Sequence, residues 1–578
     1  MRIINRPYQS EPSEFSDNVS PFLQKIFQSR GLYSDSDLNL NLTELPSPKT
    51  LLGLDIAVGH LVEALELQQK ILIVGDFDAD GATSSALMML ALRAMGFESV
   101  DFLVPNRFDY GYGLTPEIVE LAQQKTPDII ITVDNGISSV DGVAYANQLG
   151  IKVIVTDHHL PGKQLPEAAA IINPNQPGCE FPCKNLAGVA VAFYLLSALR
   201  AKLRINQWFE KNNLPVPNMA NYLDLVALGT VADVVPLDQV NRVLVNQGLL
   251  RIRSGRARPG IHALLRIAGK DYSKIVAADM GFAVGPRLNA AGRLDDISRG
   301  IQCLLTDDPA QALALAQELE QLNQDRKAIE QGMQQEALKI VDSLPLDDEY
   351  TLPAALCLYQ ADWHQGVVGL LASRIKEKFH RPVAVFANDK EGILKGSVRS
   401  IPGLHIRDAL DAVATQNPGL ITKFGGHAMA AGLSLNQSSF KAFEQALEQQ
   451  VMDTVEPDDL EATLKTDGEL EARLITKHSA ETIRDAGPWG QSFPEPSFQG
   501  IFTLKSQRIV GEHHLKVVLA PVDNESQQLD GIYFNVDTNL WPTNDTRVRC
   551  VYRLDINEFR GRENLQLMIQ YMAPVNSD

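Results

Sequence analysis

Cysteine is scarce: Cys179, Cys183, Cys303, Cys357 and Cys550 are the five among 578 residues. So thin and odd a set excludes a disulfide scaffold. Cys179 and Cys183 have no second Cys pair or nearby His to complete a zinc site, so all five read as reduced structural thiols. Long apolar runs are missing too. The longest, Leu186 to Leu199, covers 14 residues, too short for a bilayer and suited to a buried helix. The opening MRIINRPYQSEPSEF has no signal-peptide core, so a cytoplasmic protein with no membrane segment is expected. Positive charge is in deficit: 52 Lys and Arg against 71 Asp and Glu give a net charge of −19. Such a surface does not attract polyanions indiscriminately, and any nucleic-acid site has to be a local basic channel. The one dense basic cluster, RIRSGRARPG with Arg251, Arg253, Arg256 and Arg258, reads more naturally as a solvated face than as a phosphate track.

What is present suits an ordinary globular chain, with 45% hydrophobic and 21% charged residues and length for about three or four domains. Ile71 to Gly81, ILIVGDFDADG, organises it. Four aliphatic residues run into Asp76, Asp78 and Asp80 and close on Gly81. The run has the β-branched content of a buried parallel strand. The acids therefore emerge at its carboxyl end, where open α/β sheets hold their active sites. Carboxylates this crowded repel one another unless a cation lies between them. A lone DxD is more often a solvated turn, so the reading depends on further ligands.

Those ligands follow. After a polar extension over residues 1–48 and a helix over Leu51 to Gln69, strand and helix patterns alternate. Strands are expected to Phe77 and at Ser99–Val104, Asp128–Val133 and Ile151–Thr156; helices at Ala82–Met95, Pro116–Gln124 and Val140–Leu149. The spacing predicts βαβ units and a mainly parallel sheet. DIIITV runs into Asp134-Asn135-Gly136, and IKVIVT into Asp157-His158-His159. Parallel strands share a carboxyl edge, so topology alone brings Asp78, Asp80, Asp134 and the DHH triplet to one rim. A helix from Asn221 to Gly229 leads to Asp233, the natural last carboxylate of a metal site. Oxygen ligands with one or two imidazoles suit Mn²⁺ or Mg²⁺ better than zinc.

DFDADG, VDNG, TDHH and VADVVPL, in that order, resemble the four motifs of the DHH phosphoesterase superfamily, which includes RecJ-type exonucleases, oligoribonucleases and family II pyrophosphatases. The resemblance implies two Mn²⁺ or Mg²⁺ ions on Asp78, Asp80, Asp134, His158 and Asp233, with Asp134 as bridge and catalytic carboxylate. His159 would face the scissile phosphate, either protonating the leaving oxygen or holding a phosphate oxygen. Asp76 is an extra acid that would either ligate a metal or support the ligands. GPRLNAAGR, read as a Gly-flanked loop, resembles a RecJ-type segment and makes Arg287 and Asn289 candidates for contacts near the phosphate.

Pro309 to about Leu344 reads as one long helix. A second α/β pattern follows, and its WHQGVVG, KGSVRS and GGHAMAAG resemble the DHHA1 domain. Ser397, Arg399 and His427 would then meet the nucleic-acid end or backbone, with Arg107 as a partner from the first domain. The paired glycines before His427 form either an anion cradle or a tight turn. From about Asp453, short alternating segments suggest a barrel, best read as an OB-fold. Its Tyr533, Phe534, Trp541, Tyr552 and Phe559 are each more often core than base-stacking residues.

The expected fold class is α/β: a parallel-sheet DHH domain (49–305), a long helix (306–347), a DHHA1 domain (348–452) and a C-terminal OB-like barrel (453–578). The resemblance implies a 5′-to-3′ exonuclease releasing mononucleotides from single-stranded DNA in repair and recombination. It also implies a monomer, with single-strand-binding protein and a helicase as partners. An oligoribonuclease, cyclic-dinucleotide phosphodiesterase or pyrophosphatase would be shorter and lack the barrel. A replication scaffold with a degenerate site would lack ligands that are present here.

Overall fold

The structure is a computed structural model describing residues 1–7, 13–106, 110, 112–343, 352–390, 392–511, 513–537, 541–543, 545–559 and 561–575. Two compact units make up the chain. One comprises Ile4–Leu319 with Lys465–Asp578, the other Met1–Ile3 with Glu320–Leu464.

The first unit is built on strands β1 (Ile71–Gly75), β2 (Val100–Leu103), β3 (Ile129–Val133), β4 (Lys152–Thr156) and β5 (Ala170–Ile172). Their order is β2-β1-β3-β4-β5 and every pairing is parallel. All residues of β1 and β3 are buried, as their unbroken Ile/Val/Leu content requires of strands covered on both faces. The chain leaves β1 to form β2 on one side and returns to form β3 on the other. The ends of β1 and β3 therefore flank the point where strand order reverses, where such sheets bind ligands. The expected elements are present with ends shifted by a few residues, for instance helices Leu54–Glu66 and Ala79–Ala94. The segment Gly188–Ile205 is the buried helix that its 14-residue apolar run required.

The same unit carries a closed barrel in which strands Phe498–Val510, His514–Pro521, Leu529–Tyr533, Arg562–Pro574 and Arg547–Phe559 follow one another round the wall. Phe498–Thr503 pairs with Arg547–Tyr552 to close it. The N-terminal stretch does more than lie over the surface. Helix Pro21–Gln28, capped by Ser20 and opened by Pro21, places Ile26 in the barrel's core. Tyr552 and Trp541 are core as well, and Tyr533 packs against it. Phe534 alone of the described barrel aromatics is clearly exposed, edge-on to His514. The Phe559 side chain lies outside the described residues.

Helix Pro309–Asp342, 34 residues long, begins in the first unit and passes into the second at Glu320. There a five-stranded mixed sheet holds Leu356–Tyr359, Val383–Asn388, Ile393–Arg399, Ala430–Asn436 and Lys423–Gly426 in neighbouring order. Its core gathers Phe386, Leu394, Val398, Leu410 and Phe443. All five cysteines are free. No described helix is long and apolar enough to cross a membrane.

Candidate metal centre

Three loops at the carboxyl edge of the parallel sheet, and one helix end, supply the site. Asp76 follows β1. Asp78 caps helix Ala79–Ala94, its Oδ1 accepting from the N–H groups of Asp80 and Gly81 at 2.9 and 3.0 Å. Asp80, in the first turn, is buried. Its two oxygens accept from the backbone of Gly188 (2.6 Å) and Val189 (2.9 Å), the start of helix Gly188–Ile205. Asp134 follows β3 with a left-handed φ of 61°, a conformation that Asp tolerates better than most residues. It can lie where it does because residue 188 is glycine: a Cβ there would stand 2.7 Å from Asp134 Cβ. Asn135 ties β1 to β3 by donating to the carbonyls of Val74 and Val133.

His158 Nε2 lies 3.1 Å from Asp134 Oδ1 and 3.4 Å from Asp233 Oδ2. Asp233 caps the end of helix Leu223–Ala232. Asp157, fully within the protein, holds the histidine pair: its Oδ1 accepts from the backbone of His158 (2.7 Å) and His159 (3.0 Å) and meets His159 Nδ1 at 2.8 Å. Asn173 and Asn175 donate to the carbonyls of His159 and His158. The Tyr112 hydroxyl reaches His159 Nδ1 at 3.1 Å and donates to the Asp134 carbonyl at 3.2 Å.

Potential ligand atoms fall into overlapping groups, all within 4.8 Å of one another in each: Asp80, His158 and Asp233; Asp76, Asp78 and Asp134; and Asp134, His158 and His159. Asp134 thus belongs with two sets, and Asp76 sits among the donors. Electrostatics explains what the cluster needs. Burial, then the neighbouring Asp78 charge, pushes the Asp80 carboxyl up to about 7. Burial and the surrounding carboxylates also hold Asp134 and Asp233 well above their ordinary range. Asp134 Oδ1 is buried and accepts no hydrogen bond. An acid set that cannot ionise together, with an oxygen left over, fits divalent cations. Oxygen and imidazole donors fit Mn²⁺ or Mg²⁺. His159 behaves differently. Burial opposes its charge, but the Asp157 hydrogen bond and charge, helped by Asp76 and Asp78, raise it to about 9.

Comparison with known proteins agrees with this geometry. The family described as "DHH family, N-terminal domain" matches residues 70–230, "DHHA1 domain" residues 352–453 and "RecJ OB domain" residues 466–571. The single-stranded-DNA-specific exonuclease RecJ of Escherichia coli (strain K12) is 54% identical over 573 residues, 99% of each chain. This chain belongs to the RecJ family. The RecJ of Thermus thermophilus, solved in complex with Mn²⁺, superposes with a TM-score of 0.79 at 30% identity, covering 100% of this chain and 80% of that one. The Mg²⁺ complex of the same protein gives 0.75 at 28%, covering 100% and 78%.

The remaining candidates of this RecJ-family chain divide. The segment GPRLNAAGR is a helix, Gly285–Leu294, and not a loop. Pro286 suits its first turn, and Gly292 is a packing residue, since a Cβ there would collide with the Phe77 carbonyl at 1.8 Å. Asn289 Oδ1 accepts from Ala79 N–H at 2.7 Å, bracing the loop that carries Asp76 to Asp80. Arg287 is buried and donates to the Ala283 carbonyl. In the second unit, Ser397 and Arg399 share one face of strand Ile393–Arg399, with Arg399 Nη1 2.9 Å from Ser397 Oγ. Gly369, in the first turn of helix Val368–Phe379, lies against both: its Cβ would stand 2.9 Å from Arg399 Nη2 and 3.0 Å from Ser397 Oγ. His427 opens the turn of a hairpin between Lys423–Gly426 and Ala430–Asn436, and its N–H donates to Ala430, the register partner of Arg399. The paired glycines are thus the last residues of strand Lys423–Gly426, in register with Gly432 and Ala431, and lead into the turn that His427 opens. Arg107 lies outside the described residues. Tyr112 and Gly188 carry no pattern that singles them out in the chain, while Asp157 and Gly369 stand within the TDHH and WHQGVVG segments without their contacts being legible there.

Proposed function

We propose that this chain is a metal-dependent exonuclease that hydrolyses single-stranded DNA from its 5′ end to mononucleotides in repair and recombination. The observation that carries it is the gathering of Asp76, Asp78, Asp80, Asp134, His158 and Asp233 at one sheet edge. The single-stranded-DNA-specific exonucleases it resembles along nearly its whole length support it. One ion would rest on Asp80, His158 and Asp233 and the other on Asp76, Asp78 and Asp134, with Asp134 within reach of both. Bound, the two Mn²⁺ or Mg²⁺ ions supply an activated water and neutralise charge on an in-line phosphoryl transition state.

The chain's own groups do the rest. Asp157 fixes the ring of His159, and Tyr112 bridges that ring to the Asp134 backbone. Held by the hydrogen bond and charge of Asp157, which favour its protonated form, His159 is placed to give a proton to the leaving oxygen or share one with a phosphate oxygen. Arg399, Ser397 and His427 offer charge-assisted hydrogen bonds to a phosphate, and Arg107 is assigned to the same task. Arg287 and Asn289 act by shaping the approach to the scissile phosphate. Residues 49–305 form the catalytic domain, 306–347 the connecting helix, 348–452 the substrate-binding domain and 453–578 the barrel domain. The reading extends to a cytoplasmic monomer that works with a helicase and single-strand-binding protein.

The test is digestion of 5′- and 3′-labelled single strands of graded length, with duplex controls. Mononucleotides released first from the 5′ label, on long strands, are expected. Activity that vanishes beyond a few nucleotides would instead assign the chain to oligonucleotide or cyclic-dinucleotide hydrolysis.

A further inference from the structure

Phe282 is the most exposed large hydrophobic side chain among the described residues, at 86%. It stands on Met280–Val284, a π-helical turn immediately before helix Gly285–Leu294. Such turns are rare and recur at functional sites. This one is seated on the end of helix Leu223–Ala232. A Cβ at Gly281 would lie 3.3 Å from Val231 Cγ1, and one at Gly285 would lie 3.2 Å from Ala232 Cβ. Small residues at 281 and 285 thus allow the turn to sit against the two residues that precede Asp233 in the chain.

Val234, on the other side of Asp233, is 62% exposed and has a φ of 60°. It occupies the left-handed position that follows a helix cap, where glycine is usual. For a β-branched residue that conformation is a genuine outlier. Scattered exposed apolar side chains need no explanation. Here two lie on adjoining backbone segments flanking one carboxylate of the metal centre, one on a π-turn and one held in a conformation that disfavours folding. Neither belongs to a core.

We propose that Phe282 and Val234 form an apolar platform on which an unpaired nucleobase of the strand stacks while its phosphate lies at the Asp233 cluster. This rests on the reading of the chain as a single-strand nuclease. The occupant follows from the site: whatever reaches these carboxylates carries phosphate, and the flat apolar part of a phosphodiester chain is its base. An aromatic face accepts any base, because every base has a π-face. A base inside a duplex has both faces covered by its neighbours, so the platform selects unpaired strands without reading sequence.

The experiment uses the full chain. Phe282→Ala is expected to raise KM for oligothymidylate about tenfold with kcat within about threefold, while Phe282→Tyr keeps the wild-type KM. On a strand of abasic residues, wild type and Phe282→Ala should have equal KM. In EDTA, where nothing is cut, Phe282→Trp should show tryptophan quenching on titration with oligothymidylate beyond that of the wild type. Val234→Gly should raise the melting temperature while weakening the strand's binding. An unchanged KM in Phe282→Ala, or no added quenching in Phe282→Trp, overturns the platform alone, provided wild type digests single strands. Wild type that leaves single strands intact overturns the function and the platform with it.

Discussion

On the proposed function, the metal centre and the Ser397–Arg399 strand meet phosphate in opposite ways. The first collects acids that repel one another at the ends of parallel strands, buried and braced by backbone N–H groups, so it cannot meet an anion until cations join it. The second is cationic from the outset: a guanidinium and a hydroxyl on one face of an antiparallel strand, with a helix start against them. Burial sharpens the difference. Asp80 and Asp134 are each 1% exposed, which raises their electrostatic cost, whereas Arg399 keeps partial contact with solvent. On that reading, reactivity falls at the buried acids and recognition at the more exposed guanidinium.

Substitutions can break this contrast, beginning with the largest effect. Asp134→Ala removes the carboxylate that belongs to two of the three ligand groups, and kcat should fall by about 10³-fold or more, the loss of several kcal/mol of transition-state stabilisation. Circular dichroism should stay unchanged. Gly188→Ala places a methyl 2.7 Å from Asp134 Cβ and should cost about 10²-fold in kcat by displacing that carboxylate. Gly59→Ala, where a Cβ meets nothing within 4 Å, should be silent in the same assay. Arg399→Ala should act instead on binding. It removes a charge-assisted contact of about 1.5–3 kcal/mol, seen as a rise of about 10- to 100-fold in KM with kcat little altered.

Smaller effects separate the charges within the metal centre. For the metal-free protein, the Asp80 carboxyl at about 7 against an ordinary 3.8 means that the folded state keeps a proton the unfolded state has released. Stability contributed by that proton is present below the ordinary value and lost as pH rises through about 7. Asp80→Asn should flatten this dependence in EDTA, measured as melting temperature against pH. His159 should titrate near 9 by NMR in EDTA and lower in Asp157→Asn, which loses its main charge partner. A wild-type His159 titrating near 6.5 would remove Asp157 from its assigned role.

The acid half of this contrast was legible in the chain, because an apolar run ending in acids on a parallel sheet needs no long-range information to be placed. Asp78, Asp80, Asp134 and His158 could be assigned to one rim from alternation alone. Asp76 could not be ranked, since its membership depends on how the loop after β1 folds back, and that is set by Gly292 and Asn289 more than 200 residues away. GPRLNAAGR looked like a loop because glycines break patterns locally, yet here they serve close packing within a helix. Tyr112 was silent for a related reason: its role exists only through contact with His159, 47 positions on. The cationic half rested on resemblance, because a Ser-x-Arg strand face is common and only the fold sets Gly369 and the His427 turn beside it.

Counting bound Mn²⁺ by titration, with electron paramagnetic resonance to detect coupling between ions, tests the central claim most directly. Wild type should bind two ions per chain that sense one another, and Asp134→Ala should lose that coupling and at least one ion. A single ion per wild-type chain, or unchanged binding in Asp134→Ala, would contradict a two-metal centre built on this cluster.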